Sequence, residues 1–297
     1  MNRHKAHPLA FPALLFGNAV LAFGPWMVRL ADVGPVATGF WRVAIALPFL
    51  WIVSNAAGQR PHWPRRALLA AILIASVFYV LDLASWNAGI RLTKLGNATL
   101  FGNAGSFVFA IYGLWLAHQL PSAKQAGALV LAIGGAALLM SGSYELSPKN
   151  FTGDLLTLVA GLLYGGYFIF MERARTELQP LPLLLIATLF AIPMLLAISA
   201  GLGERIWPHN WTPLVIFALS SQVLGQGLLI YSIGVLPPLV VGLALLTQPA
   251  ISAAIGWFAY RETLSATDLL GAVAIAAALV LVRLPDRGLR ASAEPPS

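Results

Sequence analysis

The chain has no cysteine, which excludes disulfides and thiol chemistry. It also has little charge: Asp, Glu, Lys and Arg make up 10% of its 297 residues, against about 25% in an ordinary soluble domain. A soluble domain of this length needs a polar shell, and this chain cannot supply one. There is no P-loop, so ATP does not drive this chain directly. The histidines, at positions 4, 7, 62, 118 and 209, fall in loops, tails or the ends of apolar runs. No intramembrane His, Cys or acid pair is placed to hold a metal. No Ser-His or paired-Asp set supports an intramembrane enzyme. No cofactor is expected, and the chain reads as a non-enzyme.

What is abundant is apolar: 59% of residues are hydrophobic. The runs are about 20 residues long and continuous, not the alternating ten-residue segments of a barrel. Ten such runs are expected, near 9–29, 34–55, 66–89, 96–117, 122–141, 153–172, 181–202, 211–232, 237–259 and 266–284. The fold class is therefore an all-α polytopic membrane protein. The stretch "MNRHKAHPLAFPALLFGNAV" reads as the first span, because no small-residue cleavage site follows it. The net charge of +7 does not point to nucleic acid, since Lys and Arg gather in short loops and no basic stripe with interleaved aromatics occurs.

The halves resemble each other at an offset of 144 residues. Gly17 falls on Gly161, Arg29 on Arg173, Trp63-Pro64 on Trp207-Pro208, Ser76 on Ser220, Gly127 on Gly271 and Ala132 on Ala276. The reading is a five-span repeat over 1–145 and a second over 146–297, in one membrane domain. Five is odd, so the second copy enters the membrane inverted, as in many alternating-access carriers. With the N-terminus inside, the cytoplasmic loops and tails hold Arg3, Lys5, Arg60, Arg65, Arg66, Lys124, Arg173, Arg175, Arg283, Arg287 and Arg290. The other face holds Arg29, Arg91, Lys94, Lys149, Arg205 and Arg261. The bias puts both termini in the cytoplasm.

Several stretches resemble the drug/metabolite transporter superfamily, in particular its EamA-type members. "FWRVAIALPFL" (40–50) is similar to that family's Arg-led second span. "LLTQPAISAAIGWFAYRETLSATDLLGAVAIAAALVLV" (245–282) is similar to its closing hairpin, with Pro249, Glu262 and Gly271 at the matching positions. The first half departs from the pattern, with Gly105 for the proline and His118 for the acid, so the fourth span is expected to bend less than the ninth. Within the superfamily the resemblance runs to bacterial exporters of aromatic amino acids. It implies a carrier in the bacterial inner membrane, with a small-molecule cargo and the bilayer as partners. The resemblance leaves the oligomeric state open, a monomer included. Purines, drugs or nucleotide sugars are alternative cargoes, and a passive channel or membrane enzyme is a weaker alternative.

Ionisable groups at membrane depth cost about 2.5–3.5 kcal/mol on insertion scales and usually face a cavity or the protein interior. Two stand out. Arg42 lies about 8 residues into its span, roughly 12 Å; it either ties helix ends together or meets the cargo. Asp82, in "SVFYVLDLASW", lies deep in the third span, and Tyr79, Asp82 and Trp86 share one helix face at i, i+3, i+7. The stripe lines a cavity for an amphipathic ligand, or Asp82 is a satisfied group at the span's outer edge. At the 144-residue offset Asp82 falls on Gln226, which stacks with Gln222 at i, i+4; these amides serve a midplane site or ordinary interhelical hydrogen bonding. Further candidates for cargo contact are Asn18, Asn97, Phe101, Tyr164, Tyr167 and Gln248. Arg42, Pro249 and Glu262 are structural or gating candidates. Trp63, Trp207, Trp211 and Trp257 suit the interfacial belt.

Overall fold

The computed structural model describes residues 9–116, 122–245, 247–262 and 265–283; His118 lies outside them. Among the described residues the chain is helix and turn, without strands. A backbone that crosses lipid must bond to itself, and α-helix does this within each segment. The elements are α1 (Ala10–Leu21), α2 (Gly24–Leu30), α3 (Pro35–Ala56), α4 (Arg66–Ile90), α5 (Leu95–Gly102), α6 (Ala104–Leu116), α7 (Ala123–Leu146), α8 (Pro148–Ala174), α9 (Pro180–Gly201) and α10 (Thr212–Phe217). A π-helical stretch, Ala218–Gly225, joins α10 to α11 (Gln226–Ile233); α12 (Pro238–Leu245), α13 (Gln248–Tyr260) and α14 (Ala266–Arg283) follow.

Helix occupies each of the ten expected runs. Seven stretches among the described residues are long and apolar enough to cross a membrane: Ala10–Leu30, Pro35–Ala56, Arg66–Ile90, Leu95–Leu116, Pro148–Ala174, Pro180–Gly201 and Thr212–Ile233. Three expected spans are interrupted. The first breaks at Ala22–Phe23, ahead of Gly24-Pro25, where proline removes a backbone donor and crowds the preceding turn. The fourth breaks at Asn103 (φ −82°, ψ 5°), as the ninth does before Gln248. The expectation that the fourth span bends less is thus corrected. Its reason is packing: a Cβ on Gly105 would stand 2.3 Å from the Gly161 carbonyl oxygen, and one on Gly161 would stand 2.4 Å from that of Phe101. The two backbones touch where the fourth span turns, as small residues permit in membranes.

α4 packs along α8 and α3 along α9, and their interface is the main core, with Leu50, Ile72, Leu83, Phe168 and Leu184 fully buried. α7 lies along α14 through Ala128, Ala132 and Ala278.

The α3–α9 pair repeats its own chemistry. Pro35 and Pro180 open the helices, Pro48 and Pro193 lie inside them, and Gly58 and Gly203 end them at φ +70° and +65°. Both ends are Schellman turns: Gln59 N–H donates to Ser54 and Gly58 to Asn55, as Glu204 N–H does to Ser199 and Gly203 to Ala200. Only glycine adopts such a left-handed φ without strain. The residue after each glycine then reaches the other helix. Glu204 accepts from Val36 and Ala37 N–H at 3.2 and 2.8 Å, while Gln59 Oε1 accepts from Leu181 N–H at 3.1 Å. Each side chain fills the role of an N-cap, which is worth about 1 kcal/mol. α3 and α9 are therefore antiparallel and capped reciprocally. The paired positions stand 145 apart (180 minus 35, 193 minus 48, 203 minus 58, 204 minus 59), one more than the offset of 144 read along the sequence.

Contacts sort the helix ends into two groups. At one end the linker Arg91–Leu95 gathers the charges. Arg29 donates to the carbonyls of Ile90 (3.3 Å) and Thr93 (2.5 Å) and pairs with Glu262 (2.6 Å), whose other oxygen accepts from Leu95 N–H (3.0 Å). Thr93 Oγ1 donates to the buried Asp154 at 2.6 Å, and Arg91 reaches the Val33 carbonyl at 2.6 Å. Glu262, expected as structural or gating, ties this end together. At the other end Arg175 donates to the Ile230 carbonyl at 3.0 Å, and Arg65 pairs with Glu177 in an exposed bridge.

Candidate functional site

The third-span stripe does share a face. Tyr79, Asp82 and Trp86 of α4 line a central cavity of about 50 Å³ together with Arg42 of α3, Tyr164 of α8 and Gln248 of α13. At roughly 10–15 Å³ per water centre, that is room for a few waters. The remaining wall comes from Leu21, Leu83, Thr99, Gly102, Asn103 and Ser221.

Arg42 is 4% exposed, although it belongs to an apolar run. Its Nε donates to Gln222 Oε1 at 3.0 Å, and its guanidinium lies 4.8 Å from the centre of the Phe217 ring and 6.0 Å from that of Tyr79. Cation–π contacts of this kind are worth more once desolvated. Gln222 Oε1 also accepts from Tyr79 Oη at 2.5 Å, while its Nε2 donates to Thr188 Oγ1 at 3.2 Å. Gln222 is thus fixed from three sides and aims Arg42. It does so from the π-helical stretch, a distortion that commonly marks functional sites.

Asp82 is 7% exposed and has no hydrogen-bond partner among the described residues. No ion pair within 4.0 Å joins it to Arg42. One small cavity therefore holds a guanidinium and a carboxyl group that share no ion pair within 4.0 Å. Unmatched buried charges are costly, and a ligand carrying both signs satisfies both.

Three tyrosines stack here, Tyr79 and Tyr164 in the wall and Tyr167 behind it. Tyr79 and Tyr167 have ring centres 4.8 Å apart at 24°, and Tyr164 and Tyr167 are 5.6 Å apart at 6°. Tyr164 Oη donates to Gln226 Oε1 at 2.8 Å, and Gln248 Nε2 donates to Asn18 Oδ1 at 3.3 Å. Tyr167 Oη, Gln226 Nε2 and Asn18 Nδ2 are buried without partners among the described residues. Pro249 sits in the first turn of α13, where the missing N–H costs least, and so seats Gln248 at the cavity.

Of the expected cargo contacts, Tyr79, Asp82, Trp86, Tyr164 and Gln248 reach the cavity, and Asn18, Tyr167, Gln222 and Gln226 stand directly behind it. Asn97 and Phe101 do not line it; Phe101 faces an apolar groove with Leu100, Ala104, Phe107 and Leu162. The turn at Asn103 presents Thr99, Gly102 and Asn103 instead. Ser221, Thr188 and Phe217 carry no signal in the sequence beyond their type. Among the described residues no group of three or more His, Cys, Asp or Glu is placed to hold a metal.

The EamA-like transporter family matches residues 9–141 and again 151–284. The chain belongs to that family. The two matches begin 142 residues apart and end 143 apart (151 minus 9, 284 minus 141), so this EamA-like chain is built of two related halves. It is 25% identical to the threonine/homoserine exporter RhtA of Salmonella typhimurium (strain SL1344), over 68% of each chain. It is 32% identical to the exporter of that name from Escherichia coli (strain K12), over 50% of this chain and 51% of that one. A solved crystal structure superposes with a TM-score of 0.71, covering 95% of this chain and 97% of the other at 14% identity, a likeness of fold alone. The EamA-like chain is accordingly a membrane transporter protein whose relatives include amino acid exporters.

Proposed function

We propose that this protein exports small zwitterionic amino acids across the cytoplasmic membrane by alternating access. The observation that carries the reading is the unmatched pair in one cavity. Arg42 keeps its terminal nitrogens for a carboxylate, and Asp82, without a hydrogen bond of its own, receives an ammonium. The aromatic wall of Tyr79, Trp86 and Tyr164 supports an amphipathic side chain. The relatives named as threonine/homoserine exporters favour a short one over the aromatic cargo expected from the sequence. Nucleotide sugars fit less well, because only one cation lines the cavity.

In this reading the chain crosses ten times as two inverted five-span repeats, about 1–145 and 146–297, with both termini cytoplasmic. The reciprocal caps of α3 and α9 support the inversion, since residues 145 apart act at opposite ends. The test is exchange in proteoliposomes. Purified protein should trade external labelled threonine for internal threonine with saturation. Conduction without counter-exchange, or no exchange of any amino acid, defeats the reading.

A further inference from the structure

Trp86 is seated in an unusual way. Gly24 is the first residue of α2 and Gly102 the last of α5, so each stands at a break in a helix. A Cβ at Gly102 would lie 2.7 Å from the indole Nε1 and 3.1 Å from Cδ1. A Cβ at Gly24 would lie 3.4 Å from the indole Cη2 and 3.2 Å from Phe217 Cε2. The indole therefore bridges the two breaks, five-membered ring toward one glycine and six-membered ring toward the other. A methyl group at Gly102 has no room while the plate is in place. Beyond the plate lies an apolar cluster of Met27, Val28, Ile90, Leu95, Ala98 and Phe217, on the way to the end that Arg29 and Glu262 tie together. Toward the centre, Trp86 is cavity wall. It stands one helical turn from Asp82, on the same face.

From this geometry we propose that Trp86 is the size filter of the cavity, and that Gly24 and Gly102 are the seat that keeps its ring in place. The inference rests on the amino acid transport reading above. A cargo whose ammonium meets Asp82 runs its side chain toward the indole four residues on, and the plate limits how long that side chain can be. Trp86 then acts on selectivity by cargo length, while Asp82 and Arg42 hold the head group common to all amino acids.

The experiment is competition in proteoliposome exchange of labelled threonine, using unlabelled threonine, leucine, phenylalanine and tryptophan. In the wild type the competitors should weaken in that order. In Trp86→Ala the aromatic amino acids should gain about tenfold relative to threonine, the scale on which apolar pockets discriminate by size; Trp86→Phe, which keeps a ring, should fall between. Gly102→Ala should impair threonine exchange in the wild type and add nothing in the Trp86→Ala background, a non-additivity expected of groups in contact. An unchanged ranking in both Trp86 variants overturns the filter, as does a Gly102→Ala effect that persists with the indole gone. If the wild type exchanges threonine and the ranking stays fixed, the filter alone falls. If the wild type exchanges no amino acid, the transport reading falls and the filter with it.

Discussion

At the scale of single residues, Gln222 explains why an arginine is tolerated at membrane depth. It takes Nε of Arg42 and the hydroxyl of Tyr79 on one oxygen and is itself anchored to Thr188. Gln222→Ala should therefore release Arg42 as well as Tyr79. Threonine exchange is expected to fall by about tenfold or more, the cost of leaving a charged donor unmatched, while detergent-solubilised protein stays monodisperse on size exclusion. Undiminished exchange would show that Arg42 is aimed by something else. A milder prediction concerns Asp32, in the loop after α2. The N–H groups of His209 and, less strongly, Asn210 donate to it and hold its carboxyl below the usual carboxylate range. A depressed folded value means this tie is complete above the ordinary carboxylate range and is lost as pH falls through the lower, folded one. Hydrogen exchange at His209 and Asn210 should accelerate only in that acid window.

Much of the residue-scale site is legible in the sequence for a physical reason. Charges and amides are rare in apolar runs, so Arg42, Asp82, Gln222, Gln226 and Gln248 announce themselves, and the 3.6-residue period groups Tyr79, Asp82 and Trp86. Small residues do not announce themselves. Thr99, Ser221 and Gly102 line the cavity, yet such residues occur throughout membrane helices as packing surfaces. Asp154 sits close to the start of its run, where an acid looks interfacial, and only the structure buries it against Thr93.

At the scale of elements, the breaks decide which faces meet. The fourth span turns at Asn103, and the face of α5 that meets the cavity is that of Thr99, Gly102 and Asn103, not that of Asn97 and Phe101. That turn follows from contact with α8, to which the proline-based comparison between the halves is blind. The π-helical stretch is similar: "ALSSQVLG" reads as ordinary helix, and its wider turn brings Ser221 and Gln222 inward. The reciprocal caps give an element-scale prediction. Glu204→Ala removes an acceptor from two N–H groups of α3, and Gln59→Ala removes one from α9. Each should cost about 1 kcal/mol and lower the midpoint of thermal unfolding in detergent, with Glu204→Ala the larger because a charged acceptor at a helix N-terminus also meets the macrodipole. Equal midpoints for wild type and both variants would remove the caps from the stabilising set.

At the scale of the whole molecule, two related halves and a cavity between them suit a carrier that opens to each side in turn. The end gathered on Arg91–Leu95 is tied by the half-buried pair of Arg29 and Glu262 and by the buried Asp154. In the alternating-access reading proposed above, that end parts for half of the cycle. The absence of native cysteine makes this testable without background. Thr93→Cys with Asp154→Cys, at positions whose side-chain oxygens lie 2.6 Å apart, should cross-link readily. Exchange should stop when the pair is oxidised and return on reduction; exchange that continues through the cross-link would mean that this end stays shut throughout. The halves are legible in the sequence through scattered pairs 144 apart such as Trp63-Pro64 and Trp207-Pro208, whereas the proline and glycine pairs of α3 and α9 stand 145 apart and fall outside that register.

The central claim is that a zwitterion lies between Arg42 and Asp82. The most direct measurement is inhibition of threonine exchange in proteoliposomes by threonine amide, which lacks the carboxylate, and by N-acetylthreonine, which lacks the ammonium. In the wild type neither analogue should compete. Asp82→Asn should relax the discrimination against N-acetylthreonine, and Arg42→Gln that against threonine amide, each without relaxing the other. Wild-type exchange rates in both variants, or relaxation toward the same analogue in both, would contradict the placement of the two charges on the two ends of the cargo.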